Sequence, residues 1–145
     1  MDIAFRFVEH GTAAWTAAVK LREDVLRKPL GNCFSKEELE AEKNHYHVVG
    51  FFQDQLIATA VLVPDGNQLK MQRVAVSDAY RNRDIGSKMM VFCEAFAREK
   101  QIEQMYCHTR DTAVRFYTKN GYGIEGDYFD EDGIPHTKMT KPMKS

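Results

Sequence analysis

Three apolar segments follow one another between residues 45 and 76, and they constrain the fold more strongly than any other part of the chain. Their sequences are HYHVVGFF, LIATAVLV and LKMQRVAV, and each has the length and the aliphatic or aromatic content of a strand. Short polar sequences, QDQ and PDGN, separate them, and Asp65-Gly66 is a strong hairpin signal. Strands that are joined by turns this short run antiparallel. The sequence therefore predicts an antiparallel meander with strands at 45–52, 56–63 and 69–76.

The periodicity changes from strand to helix after residue 76. Apolar side chains then recur every three or four residues, which predicts an amphipathic helix over residues 85–99. The segment IEQMYCHT (102–109) predicts a further strand. A strand, a helix and a strand in this order favour a parallel crossover.

Further elements are predicted on either side of this centre. The alternating segment 3–9 predicts a strand, and the spacing of apolar residues predicts a helix at 12–27 with Thr12 as its N-cap. Ser35 and Glu38 have the spacing of a capping box, which predicts a short helix at 35–44.

The last third of the chain predicts one more helix and a closing hairpin. Asp111 is expected to cap a helix at 112–120, which ends at Gly121. YGIEGDYF and IPHTKMTK flank the turn sequence DEDG, as two strands of a hairpin do. The sum of these elements is an α+β fold.

Length and composition restrict the class of protein. The 145 residues fit one domain over 1–145, and a net charge of −1 does not favour a nucleic-acid binder. The three cysteines, Cys33, Cys93 and Cys107, form no CxxC pair, so neither a disulfide framework nor a zinc knuckle is expected, and Cys93 and Cys107 fall at core positions. We find neither a secretory signal nor an apolar segment of about 20 residues that would span a membrane, so a cytoplasmic protein is expected.

The segment VAVSDAYRNRDIGSKMM (74–90) passes from a strand through a basic turn into a helix. A helix N-terminus presents unpaired backbone N–H groups and a partial positive charge, and both suit a phosphate. Arg81, Arg83 and Lys88 would add charge and Ser87 a hydroxyl, while Gly86 would let a ligand approach the backbone. The spacing alone favours a plain helix start beside solvent-exposed arginines. Neither a P-loop nor a dinucleotide-binding GxGxxG motif occurs.

Two segments together resemble the GNAT family of N-acetyltransferases. VAVSDAYRNRDIGSKMM resembles motif A, whose turn usually reads [QR]xxGx[GA] after a Val-Ala-Val strand, and RDTAVRFYTKNGYGIEG resembles motif B, usually NxxAxxFYxxxGF. LREDVLRKPLG and DEDGIPHTKM further resemble the small bacterial ElaA-like branch. The resemblance implies the GNAT acyl-CoA N-acyltransferase fold, in which a mixed, mostly antiparallel central sheet carries helices on both faces.

The resemblance also implies a reaction and its co-substrate. An acetyl group would move from acetyl-CoA to a primary amine by direct attack, and the acceptor would be a small-molecule amine or a protein amino group. A homodimer is allowed, because dimers are frequent among proteins that this chain resembles. The implied cofactor-binding residues are Val74, Ala75, Val76, Arg81, Asn82, Arg83, Asp84, Ile85, Gly86, Ser87 and Arg110.

Two residues depart from the family motifs. Asp84 stands where motif A usually has glycine, so a carboxylate would lie near the diphosphate and a non-glycine residue would have to adopt a positive φ. Arg110 occupies the usual Asn position of motif B, where it either holds a phosphate or faces water.

Two residues are implied as catalytic. Tyr117 matches the general-acid tyrosine of the family, although the residue by itself is more typical of a packed aromatic beside Phe116. His136 is the first candidate for the base, against a histidine simply satisfied at a strand edge, and His108 is a weaker candidate. His45 and His47 lie two residues apart on one face of a predicted strand, but no third ligand is evident and no metal site is predicted.

Two other functions remain open from the sequence. One is a non-catalytic acyl-CoA binding or sensing domain on the same fold, and the other is a nucleotide-binding module unrelated to CoA. Residues 28–44 and the closing hairpin are expected to form the walls of an acceptor cleft. The acidic tip FDEDG is either a solvated turn or an attraction for a cationic amine.

Overall fold

The predicted meander and crossover belong to a seven-stranded sheet in the computed structural model, which describes residues 2–143. The strands are β1 (Ile3–Val8), β2 (Tyr46–Phe52), β3 (Gln55–Asp65), β4 (Gln68–Val76), β5 (Gln104–Arg110), β6 (Gly123–Glu131) and β7 (Ile134–Pro142). The α-helices are α1 (Ala13–Arg22), α2 (Lys36–Ala41), α3 (Ile85–Glu99) and α4 (Val114–Lys119). The strand order is β1-β2-β3-β4-β5-β7-β6.

The sheet is mixed and mostly antiparallel, which confirms the predicted α+β class. β2 pairs antiparallel with both β1 and β3, and β7 pairs antiparallel with both β5 and β6. β4 and β5 pair in parallel, with Gln68–Lys70 opposite Gln104–Tyr106. Helix α3 connects these two strands, so the crossover has the order that the sequence predicts.

Helix α3 begins and ends at the predicted residues because its apolar periodicity is unbroken. Ile85, Met89, Cys93 and Ala97 follow one another at intervals of four residues and are all buried, whereas Val91 on the other face is 64% exposed. Cys107 on β5 is buried as well, so both cysteines that were expected in the core are there.

The first predicted helix is α-helical except in its last five residues. Helix α1 ends at Arg22, and the chain continues through a π-helical turn, Glu23–Arg27, and a 3-10 turn, Lys28–Leu30. Pro29 explains the change, because its ring lacks an N–H and clashes with the carbonyl four residues earlier in an α-helix. The next helix is also shorter than predicted, since α2 covers only Lys36–Ala41 behind the predicted Ser35–Glu38 capping box.

The predicted cap at Asp111 is wrong too. Asp111 opens a 3-10 turn, Asp111–Ala113, and its Oδ1 accepts a hydrogen bond from the Thr112 N–H at 3.0 Å. Because this carboxylate serves the adjacent amide, it does not reach the first turn of α4, which starts at Val114 without a side-chain cap. The predicted end at Gly121 is confirmed by its φ of 92°.

The chain divides into two compact units, which are described separately below. The first unit comprises the residues up to Val63 together with Arg73–Cys93, and the second comprises Pro64–Gln72 with the residues from Glu94 onward. Fully buried aliphatic residues of β2 and β3 form the core of the first unit. Leu69, Met105 and Met139 form that of the second. No helix within residues 2–143 is both long and apolar enough to cross a membrane.

Candidate active site

The turn between β4 and α3 in the first unit contains two residues with left-handed backbone. Asn82 has a φ of 63° and Asp84 a φ of 57°, and α3 begins at the next residue, with the Lys88 N–H donating to the Asp84 carbonyl. Left-handed residues in a turn can bring successive N–H groups to one side, as in the backbone nests that bind anions. The turn therefore has left-handed backbone at two positions, and one of them, Asp84, is the position where motif A usually has glycine.

The side chains of this turn also suit a phosphate. The Ser87 Oγ, in the first turn of α3, is buried and has no hydrogen-bond partner among the described residues. Arg81 pairs with Asp78 at 2.9 Å while staying 55% exposed, and the Arg83 guanidinium lies 5.7 Å from the centre of the Tyr80 ring. A buried hydroxyl without a partner at a helix N-terminus fits a ligand with acceptor oxygens.

A third left-handed residue, Arg73, lies inside β4, with a φ of 54°. It directly precedes Val74, Ala75 and Val76, the backbone segment that the resemblance assigns to the cofactor. Within the second unit, the parallel pairing of β4 with β5 comprises only the three positions from Gln68 to Lys70. Irregular strand residues of this kind frequently end pairing or redirect backbone groups beside active sites.

Tyr117, the expected acid, lies in helix α4 of the second unit. Its side chain is only 7% exposed, and its ring centre lies 5.1 Å from that of Phe116 and 5.7 Å from that of Tyr122. The Tyr117 carbonyl accepts the Tyr122 N–H at 3.0 Å, across the turn at Gly121. Backbone and neighbouring rings therefore hold this phenol in one place.

The two candidate bases of the second unit lie on either side of one carboxylate. The His136 Nδ1 hydrogen bonds to the Ile134 carbonyl at 2.8 Å, and its Nε2 is 3.5 Å from one oxygen of Glu131. The other oxygen of Glu131 is 3.1 Å from the His108 Nδ1. Since a carbonyl only accepts, the proton of a neutral His136 is on Nδ1, which leaves Nε2 with a lone pair.

Glu131 is the residue of this cluster that sequence reasoning missed. It was considered only as part of the acidic tip FDEDG. Its position at the end of β6, directly opposite Ile134 in the hairpin register, was the available signal. The same β5–β7 register places Arg110 opposite His136.

The histidine pair at the start of β2 differs from its prediction. His45 precedes β2, so only His47 belongs to the strand, and His47 is buried with its Nε2 at 3.0 Å from the Glu42 carbonyl. Burial lowers the pKa of His47. Within the described residues, no group of three or more His, Cys, Asp or Glu side chains is arranged to hold a metal ion.

A cluster of charged side chains packs around Phe34 in the first unit. The guanidinium groups of Arg22, Arg27 and Arg73 lie 4.6, 4.1 and 5.1 Å from the centre of its ring. Arg27 donates two hydrogen bonds to Glu38, at 3.1 and 2.7 Å. These bonds lower the pKa of the Glu38 carboxyl to about 2.

Replacing Glu38 by glutamine is expected to remove part of the acid sensitivity of the fold. Because folding lowers this pKa, the ionised carboxylate stabilises the protein above the unfolded pKa, and this stabilisation is lost as the pH falls from about 5 to about 2. With 34% of the side chain exposed, we expect about 1 kcal/mol rather than the full linkage value. Urea unfolding of both proteins across this range measures the difference. A difference that does not shrink on acidification would contradict the assignment.

Comparison with known proteins identifies one family. The family model described as an acetyltransferase (GNAT) domain matches residues 18–143. The chain belongs to the GNAT family. Its GNAT fold is also that of a candidate N-acetyltransferase from Lactobacillus plantarum, with a TM-score of 0.86 and 26% identity over 98% of this chain and 99% of the other.

Further comparisons give two proteins of the same fold and one of related sequence. Escherichia coli ElaA has the same fold, with a TM-score of 0.81 and 20% identity over 97% of this chain and 99% of its own. YyaT, an uncharacterized protein of Bacillus subtilis, is 32% identical over 97 residues, which cover 67% of this chain and 66% of YyaT. A GNAT acetyltransferase from Elizabethkingia anophelis, solved with acetyl-CoA bound, has a TM-score of 0.73 and 20% identity over 97% of both chains.

Proposed function

We propose that residues 1–145 form one acetyl-CoA-dependent N-acetyltransferase domain, which transfers the acetyl group to a primary amine by direct attack. The observation that carries the proposal is the left-handed turn at Asn82 and Asp84 followed by the unpartnered Ser87 hydroxyl, in a chain of the GNAT family. The acceptor is a small-molecule amine or a protein amino group.

The proposed cofactor residues divide into two backbone segments and two side chains. The N–H groups of Arg81, Asn82, Arg83, Asp84, Ile85 and Gly86 and the Ser87 hydroxyl would hold the diphosphate. The backbone of Val74, Ala75 and Val76 would hold the pantetheine arm and the thioester carbonyl. Backbone donors placed where negative charge develops contribute about 3–4 kcal/mol in comparable enzymes. Arg110 is proposed as a further phosphate contact.

The proposed chemistry needs one base and one acid from this chain. Acetyl-CoA supplies the acetyl group as a thioester. His136 takes a proton from the ammonium form of the acceptor, which leaves a neutral amine to form the new C–N bond as the C–S bond breaks. Tyr117 gives its proton to the departing thiolate, and the excess proton on the newly acylated nitrogen restores the Tyr117 phenol, so that the amide, free CoA thiol and one proton on His136 are the products.

Replacing His136 by alanine tests the base. The acidic limb of the pH–rate profile is expected to move or vanish, because a different group must then accept the proton. The measurement is kcat across the stable pH range for both proteins, and His47→Ala is a control at a buried histidine that the proposal does not use. Superimposable profiles for wild type and His136→Ala would reject the role.

The experiment that tests the whole proposal separates three functions. Calorimetry with acetyl-CoA and with ATP measures which ligand binds, and a thiol reagent then follows release of free CoA with a library of amines and amino-terminal peptides. The transferase binds acetyl-CoA and releases thiol only when an acceptor is present. Binding without release for any acceptor favours the sensing domain, and preference for ATP favours the nucleotide module.

Replacing Asp84 by glycine is expected to tighten CoA binding by about tenfold, or ~1.4 kcal/mol. The substitution removes a carboxylate from beside the proposed diphosphate, and glycine also adopts the observed φ of 57° without strain. Asp84→Asn is the matched variant, because it removes only the charge. Calorimetry with CoA measures both, and equal or weaker binding by both variants would contradict this description of the turn.

A further inference from the structure

We infer that Arg73 and Glu42 form a positioning pair, which fixes the conformation of the acyl-donor segment, residues 73–76, from the side-chain cluster around Phe34. The inference rests on the proposed function for the meaning of that segment. Its first test requires no activity.

The conformation of Arg73 needs an external cause. A left-handed backbone costs a non-glycine residue about 1–2 kcal/mol. Such residues persist where the surrounding structure imposes them, and they concentrate at functional sites. Arg73 has this backbone, with a φ of 54°, inside a strand and immediately before Val74.

The Arg73 side chain has the contacts that impose it. Its Nε donates to one oxygen of Glu42 at 3.0 Å, and its Nη2 lies 3.7 Å from Glu38. The other oxygen of Glu42 accepts from Arg22, so this carboxylate, which is 3% exposed, joins two guanidinium groups. A buried carboxylate between two arginines has few alternative arrangements, because moving either partner leaves an unpaired charge in the interior.

The other end of this connection is also fixed. The Phe34 N–H donates to Glu23 at 3.0 Å, and Arg27 holds Glu38 through two hydrogen bonds. These hydrogen bonds hold residues of the 22–42 segment together around the Phe34 ring, independently of the contact with β4. The segment expected to line the acceptor cleft and the segment proposed to hold the thioester are connected by the Arg73–Glu42 pair.

The first test observes the backbone without any ligand. Glu42→Gln keeps the shape of the side chain and removes its charge, and Glu42 is separated from Arg73 by 31 positions along the chain. In ¹⁵N–¹H spectra, the amide signals of residues 73–76 are expected to shift or broaden in this variant. Arg27→Gln is the matched control, because it removes a cation that also stacks on Phe34 but pairs with Glu38. Signals of residues 73–76 that stay in place in Glu42→Gln, or move as far in Arg27→Gln, overturn the inference.

The second test uses turnover. Arg73→Gln and Glu42→Gln are expected to lower kcat by at least about tenfold with little change in KM for acetyl-CoA, because misplaced donors reduce rate more than binding. The kcat of the double variant is expected to be no lower than that of the slower single variant. Arg73→Lys is expected to have a higher kcat than Arg73→Gln. Additive losses, or losses confined to KM, overturn the inference. If Glu42→Gln does not fold, Arg73→Gln alone decides the split between kcat and KM. If the wild type releases no thiol, the proposed function fails, while the spectra still test the positioning pair.

Discussion

Replacing Tyr117 by phenylalanine is expected to lower kcat by about 10²–10⁴-fold, the usual contribution of a positioned general acid. The substitution removes one oxygen and keeps the ring contacts with Phe116 and Tyr122, so acetyl-CoA binding and thermal stability should stay as in the wild type. Single-turnover and steady-state thiol release measure the rate, and calorimetry measures acetyl-CoA binding and thermal stability. The prediction is strict because phenylalanine keeps the ring of Tyr117 and removes only its hydroxyl.

Tyr122→Phe is the matched control for this experiment. The Tyr122 hydroxyl donates to the buried Glu94 at 3.1 Å, so its loss is expected to lower the free energy of unfolding by about 1.5–3 kcal/mol with kcat unchanged. Tyr117→Phe is thus expected to change the rate and not the stability, and Tyr122→Phe the stability and not the rate. If Tyr117→Phe binds acetyl-CoA and keeps its kcat, Tyr117 is a packed aromatic and the acid lies elsewhere.

Replacing Glu94 by alanine is expected to have the largest effect on stability, about 3–5 kcal/mol. Glu94 is 4% exposed and accepts hydrogen bonds from Lys141 at 2.9 Å and from Tyr122 at 3.1 Å. Its removal leaves the Lys141 ammonium, which also donates to the Asn120 carbonyl, half-buried without its counter-charge. Urea unfolding at neutral pH measures the change.

Glu99→Ala provides the comparison on the same helix. Glu99 is exposed at the end of α3, so the same substitution there should change the free energy of unfolding by no more than about 0.5 kcal/mol. If Glu94→Ala lowers the free energy of unfolding as little as Glu99→Ala does, the buried ion pair contributes nothing measurable to stability.

The parts of the fold that the sequence predicted correctly depend on local signals. The turn at Gly66, the capping box at Ser35 and the unbroken apolar stripe of α3 are each specified by residues close together in the chain. The first α-helix ends at Arg22 rather than at the predicted residue 27, because residues 23–27 form a π-helical turn, which apolar periodicity does not distinguish from an α-helix. The Asp111 cap was wrong because the hydrogen bond to the next amide competes with capping.

The parts of the candidate site that escaped prediction depend on distant pairs. Glu42 and Arg73 are ordinary surface residues in the sequence, and only tertiary structure brings them into a buried pair. The sequence places Glu131 in an acidic tip that is either a solvated turn or an attraction for a cationic amine, and only the hairpin register brings its two oxygens between His108 and His136. By contrast, the positive φ at Asp84 was expected, because motif A usually has glycine at that position.

The double pairing of Glu42 has a consequence for engineering. A designer can exchange the segment between Arg22 and Glu42 for that of another family member in order to change the acceptor. The exchange must keep Arg22 and Glu42, or replace them together with Arg73. A graft that omits one of the three inherits an uncompensated interior charge, and it would fail by misfolding before its selectivity could be assayed. Residues of this segment can therefore be exchanged without loss of the fold only when the exchanged part lies between Arg22 and Glu42 and leaves both in place.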